Sequence, residues 1–154
     1  MNLFGLFRRS RVLRQTGALP YILTKDGLEV MLVTSRRRKR WIIPKGWPVN
    51  GLSLAEAAAK EAEEEAGVLG ALGDDAVGAY AYEKLTDRGY PAPCEVLVFP
   101  LNATFQLLDW KERGQRSIRW LPIAEAADIA ADRPLARLLT ELAAAPARLG
   151  PPRF

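Results

Sequence analysis

Runs of apolar residues with turn signals between them divide the chain into strands and helices. Ala18 to Thr24 and Leu28 to Ser35 are apolar runs of strand length. Lys25-Asp26-Gly27 separates them, and its Asp-Gly pair is a hairpin-turn signal. Trp41-Ile42-Ile43-Pro44 predicts a third strand. Ala76 to Leu85 and Glu95 to Ala103 predict two more, with Thr86 to Pro93 as the turn between them because of Gly89, Pro91 and Pro93. Trp110 to Arg116 is polar and predicts a loop, followed by a short strand over Ser117 to Leu121. Pro122 opens a helix through Ile129, since proline suits a first helical turn. Pro134 to Ala145 is a last helix, rich in alanine and leucine.

Residues 54 to 66 carry a different period. Ser53 and Glu56 form a capping-box pair at the start, and Gly67 suits the left-handed position that closes a helix. At about 100° per residue, the segment separates into three faces. Ala55, Ala58, Ala59, Ala62 and Ala66 form a small-residue face suited to close packing on a sheet. Glu56, Lys60 and Glu63 point to solvent, and Glu61, Glu64 and Glu65 share a third arc. Three like charges on neighbouring positions repel, and a bound cation would reverse that cost. Without further context the arc would read as a solvated acidic face.

Strands, a helix, more strands and then helices indicate an α/β fold with a mixed sheet covered by helices on both faces. The 154 residues suffice for one domain with a substantial core. The boundaries expected are a basic N-terminal extension over 1–16, a domain over 17–145 and a proline-containing tail over 146–154. The extension has no apolar run long enough for a signal segment or a membrane span.

Chemistry is narrowed by what the composition lacks. There is no histidine, which removes Ser-His and Cys-His catalysis and imidazole metal sites. What remains is carboxylate–oxygen chemistry with a hard cation such as Mg²⁺ or Mn²⁺. The single cysteine, Cys94, excludes an internal disulfide and fits a reducing compartment, with a cytoplasmic location expected. A net charge of +4 is compatible with an anionic partner, and solubility alone accounts for such a value nearly as often. Its densest part is Arg36 to Arg40, RRRKR, which leads into the strand before the acidic helix. Such a run can simply protect a sheet edge. Nucleic acid is a poor fit because no aromatic residue is interleaved to stack on bases. Beside a metal site, the same cations suit a densely phosphorylated substrate.

From Gly46 to Val68 the sequence resembles the Nudix box, G-x₅-E-x₇-R-E-U-x-E-E-x-G-U, where U is aliphatic. Gly46, Glu61, Ala62, Glu64, Glu65, Gly67 and Val68 fill their positions over 23 residues. Leu52 stands where the family has its first glutamate, and Lys60 where it has an arginine that helps orient the carboxylates. Lysine keeps the charge and loses the planar fork. The resemblance, which extends over roughly residues 17 to 130, implies a Nudix-type α/β/α sandwich and metal-assisted hydrolysis of a phosphoanhydride. It implies that Glu61, Glu64 and Glu65, with the Gly46 carbonyl, hold the divalent cation. Catalytic candidates are Glu61, Glu64, Glu65 and Glu112, with Glu83 as another possible base. Arg36, Arg38, Arg40 and Lys45 are candidates for holding the rest of a polyphosphate. Trp47 is a candidate for base stacking or for covering the core. The basic segment with WIIPKGW resembles the diphosphoinositol polyphosphate and diadenosine polyphosphate hydrolase branch. ADP-ribose, nucleoside triphosphates or capped RNA ends are alternative substrates, and a decayed nucleotide-binding module is a non-enzymatic one.

Overall fold

The structure is a computed structural model that describes residues 12–150. Four short or medium strands open the chain: β1 (Leu13–Thr24), β2 (Gly27–Thr34), β3 (Trp41–Ile42) and β4 (Lys45–Gly46). Helix α1 (Leu54–Ala66) follows, then β5 (Val68–Leu72), β6 (Gly78–Leu85), β7 (Pro91–Gln106) and β8 (Ile118–Pro122). Helices α2 (Ile123–Ile129) and α3 (Arg133–Ala144) precede a closing 3₁₀ turn, Pro146–Leu149.

The central pair is β1 and β7, which run parallel from Leu13↔Cys94 to Tyr21↔Asn102. The other pairings among the strands are antiparallel, so the sheet is mixed as expected. Alternation along β1 and β2 loads both faces. Leu19, Val30, Leu32, Val96 and Val98 pack with Leu135, Leu139 and Leu142 of α3. Ala18, Met31, Val33, Phe99 and Leu101 pack with Ala55, Ala58, Ala62 and Ala66 of α1. A sheet buried on both faces needs nearly continuous apolar strands, which is how these segments read.

Four differences from the sequence reading have physical causes. Strand β1 starts at Leu13, inside the segment expected to be an extension, because its polar residues find partners. Thr16 Oγ1 donates to the Leu54 carbonyl at 2.6 Å, and Gln15 Oε1 accepts from the Tyr82 hydroxyl at 2.6 Å. Residues 1–11 of the expected extension and 151–154 of the expected tail lie outside the described residues.

Strand β7 starts at Pro91, within the expected turn. Residues 91 to 93 pair only with β6, since the β1 ladder begins at Cys94, and such an edge tolerates proline. Strand β5 was not expected at all. It follows the helix cap without a turn, and Gly70 marks a register shift where a side chain would meet the Asn102 carbonyl. Finally, residues 146–149 fold back onto the core: Leu149 is buried and its carbonyl accepts from the Tyr21 hydroxyl at 3.0 Å. Among the described residues, no helix is long and apolar enough to cross a membrane.

Gly67 joins the fold to the site. Its φ of +64° is left-handed, and a Cβ there would lie 2.4 Å from the Trp110 ring. Gly51 also has positive φ, at +85°, but faces open space. Gly51→Ala should therefore lower unfolding free energy by about 1 kcal/mol through backbone strain alone. Gly67→Ala should lose measurably more in urea titrations; equal losses would show that the Trp110 contact contributes nothing.

Candidate active site

Helix α1 has the predicted bounds and caps. The Ser53 hydroxyl accepts the Glu56 N–H at 3.0 Å, and the Gly67 N–H donates to the Ala62 and Glu63 carbonyls. Its alanine face lies against the sheet, with Ala57 also buried and Ala59 half-buried. Glu56, Lys60 and Glu63 face solvent as expected. This seating turns the acidic arc into the crevice between β4 and the loop from Leu107 to Ser117.

Each carboxylate meets a different environment. Glu65 is only 3% exposed, and both its oxygens are engaged. Oε2 accepts from the Lys45 N–H at 3.2 Å, and Oε1 faces Arg116 Nη2 at 3.2 Å. Burial still pushes its pKa up to about 7, against the opposing pull of the Arg116 guanidinium, with Glu61 adding to the rise. Glu61 is half-buried and raised by burial, then by Glu64 and Glu112. Its carboxylate occupies the space that a Cβ on Gly46 would fill, 2.3 Å from Oε1. Glu64 is partly exposed and paired at its two oxygens with Lys60 at 3.6 Å and Lys111 at 3.8 Å.

Glu112 arrives from the polar loop. Its N–H donates to the Glu64 carbonyl at 3.0 Å, so backbone bonding pins the loop to the acidic helix. Its carboxylate lies 3.4 Å from Arg116 Nη2 and 3.6 Å from Arg36 Nη1. Glu83, the other candidate base, is exposed on β6 opposite Pro93, outside this group.

The basic residues divide. Arg36 reaches the site through Glu112, and the Lys39 ammonium donates to the Gln115 carbonyl at 3.3 Å. Arg38 is exposed in the turn. Arg40 points elsewhere: it donates to the Ala131 carbonyl at 3.2 Å and pairs with Asp132 at 3.6 Å, tying β3 to the α2–α3 connection. The Lys45 side chain also leaves the acidic arc. Its ammonium donates to the Tyr82 hydroxyl at 3.1 Å and sits 4.6 Å above that ring, with burial lowering its pKa. Trp47 is about half exposed, with the Lys84 ammonium 5.5 Å from its ring. Cys94 is buried. Sequence reasoning missed Arg116 and Lys111; the four-residue spacing of Glu112 and Arg116 was the available signal.

An all-oxygen donor set of Glu61, Glu64, Glu65 and the Gly46 carbonyl suits a hard divalent cation. Among the described residues, no three acidic, cysteine or histidine side chains already converge on one point. Glu64, Glu65 and Glu112 instead pair with side-chain cations around them. The void at Gly46 that admits Glu61 supports the fit: a side chain there would press on the Glu61 carboxylate and displace it. Buried carboxylates with raised pKa values are poised to exchange a proton for a metal ion.

Comparison with known proteins places this geometry. Residues 14–142 match the NUDIX domain. Nudix hydrolase 12, mitochondrial, of Arabidopsis thaliana is 32% identical over 82% of this chain and 70% of its own length. Nudix hydrolase 13, mitochondrial, of the same plant is 30% identical, over 74% and 65% respectively. The chain thus spans about two thirds of these relatives. Among solved structures, the C. elegans Ap4A hydrolase superposes with a TM-score of 0.62 at 20% identity, covering 89% of this chain and all of that one. The NUDIX domain of Shewanella oneidensis NrtR, solved with ADP ribose, gives 0.62 at 15% identity, covering 92% and 98%. These two likenesses concern the fold. The domain match and the plant relatives carry the family assignment: the chain belongs to the Nudix hydrolases, a family of pyrophosphohydrolase enzymes.

Proposed function

We propose that the chain hydrolyses a phosphoanhydride bond in a nucleoside-diphosphate-linked or polyphosphorylated substrate, using Mg²⁺ or Mn²⁺. The observation that carries this reading is the acidic arc of α1 beside the Gly46 void, ringed by Arg36, Lys60, Lys111 and Arg116. Glu61, Glu64, Glu65 and the Gly46 carbonyl would hold the metal. When bound, it would polarise a phosphoryl oxygen and acidify a water. Glu112 is the favoured general base over Glu83, because it lies against the arc and is restrained by the loop's backbone bonds.

A substrate dense in charge, such as a diphosphoinositol polyphosphate or a diadenosine polyphosphate, is favoured over ADP-ribose. Arg36 and Lys111 lie beside the site carboxylates, and with the exposed Arg38 of the same turn as Arg36 they can grip phosphate oxygens. A reducing, cytoplasm-like setting is supported by the single buried cysteine, although the plant relatives carry mitochondrial names.

Glu64→Gln and Glu65→Gln should each abolish most metal-dependent turnover while the circular dichroism spectrum stays that of the folded chain. Undiminished turnover in both would remove the metal assignment. Replacing Arg36 and Arg38 together with alanine should raise KM for diadenosine polyphosphate more than for ADP-ribose. Arg40→Ala should instead lower the melting temperature with little change in KM, and the reverse pattern would return Arg40 to the substrate.

The raised Glu65 pKa sets a pH dependence. Between about 4.5, its usual value, and about 7, the folded metal-free chain holds a proton that the unfolded chain has lost. Its stability therefore falls as pH rises through that window. Thermal melts in EDTA should show the slope, and Glu65→Gln should flatten it. Saturating Mn²⁺ should oppose it, since the metal binds the deprotonated form. A metal-free melting temperature that rises over the same window would contradict the burial argument.

A further inference from the structure

Arg116 is the most deeply placed cation in the crevice, with its side chain 10% exposed. It lies outside the Nudix-box stretch, at the end of the loop that leads into β8. Its Nη2 stands between Glu65 Oε1 at 3.2 Å and Glu112 Oε1 at 3.4 Å. Its Nη1 donates to the Thr34 carbonyl at 3.1 Å, so the far end of the guanidinium is anchored on β2. Thr34 also accepts the Ser117 N–H on its hydroxyl at 2.9 Å and donates its own N–H to the Ser117 carbonyl at 3.0 Å. The strand end and the loop therefore hold the arginine from both sides. The remaining donor, Nε, is buried without an acceptor. Such an arrangement spends one donor to keep the planar fork between two carboxylates and a carbonyl.

The box position that carries arginine in the family holds Lys60, which is half exposed and reaches only Glu64 at 3.6 Å. Nothing at that position touches Glu65 or Glu112. We infer that Arg116 is the positioning residue of this site, fixing Glu65 and Glu112 relative to each other and leaving Lys60 a minor, solvent-screened partner of Glu64. Arg116 acts through the two carboxylates. It sets where one metal-binding oxygen and the general base stand before metal and substrate arrive. Neighbours of metal ligands that hold them in place typically matter by about 10–100-fold in affinity or activity.

This inference rests on the metal-site reading above, and the test separates the two. Mn²⁺ affinity of the full chain is measured by calorimetry without substrate, and kcat and KM are measured for diadenosine polyphosphate. Arg116→Lys keeps the charge and loses the fork. Arg116→Gln, run in parallel, keeps an amide donor toward the Thr34 carbonyl and serves if lysine impairs folding; melting curves check both. We expect Mn²⁺ binding weaker by about 10–100-fold. The kcat should fall over a similar range, with KM within about threefold. Lys60→Met should change either quantity by less than about fivefold, in keeping with a half-exposed ion pair. A folded Arg116 variant with wild-type Mn²⁺ affinity and kcat would overturn the inference and leave the metal site standing. A larger loss in Lys60→Met than in the Arg116 variants would also overturn it. A wild-type chain that binds no Mn²⁺ would overturn the metal site and the inference together.

Discussion

Burial of the Glu65 carboxylate almost completely out of water is the constraint on which the site depends. The alanine face of α1 lets the helix approach the sheet closely, and that approach carries Glu65 almost completely out of water. An ionised carboxylate in such a place is costly unless donors surround it. The chain supplies a backbone N–H from β4 and a guanidinium from the 107–117 loop. Even so, burial prevails in raising the pKa, so the metal-free site is electrostatically unsettled. A divalent cation would settle it. Buried carboxylates with perturbed pKa values of this kind cluster at functional sites.

The sheet brings three separate stretches against α1. Strand β1 pairs with β4 at Thr16↔Gly46 and bonds the first turn of α1 through Thr16, which fixes the glycine under Glu61. Strand β7 delivers the 107–117 loop, and Gln106 at its end donates to the Ala66 and Gly67 carbonyls, closing the helix. Strand β2 ends at Thr34, where Arg116 and Ser117 are held. The cationic turn after β2 then falls beside the loop, so Arg36 and Lys39 reach it while Arg40 braces the α2–α3 connection.

Much of this was legible in the residues. The bounds of α1, its caps and its three faces follow from local chemistry and a 3.6-residue period, and those signals act within a few positions. The two-faced burial of the sheet follows from continuous apolar runs. What was not legible depends on distant partners. Gln15 and Thr16 look like loop residues until Tyr82 and the Leu54 carbonyl satisfy them. Pro91 and Pro93 signal a turn unless one knows that β1 begins opposite Cys94. Lys45 sits one residue from Gly46, yet its side chain turns away from the acidic arc toward Tyr82. Arg116 is separated from Glu65 by 51 positions, and only folding reveals that the two meet.

We propose that the acidic arc holds a divalent cation with which the chain cleaves phosphoanhydrides. The most direct test is phosphate or nucleotide release from diphosphoinositol polyphosphate, diadenosine polyphosphates, ADP-ribose and nucleoside triphosphates, with Mg²⁺, with Mn²⁺ and with EDTA. Cleavage should require the metal and be fastest for the most highly charged members of the panel. Folded protein that cleaves none of them with either metal would contradict the proposal.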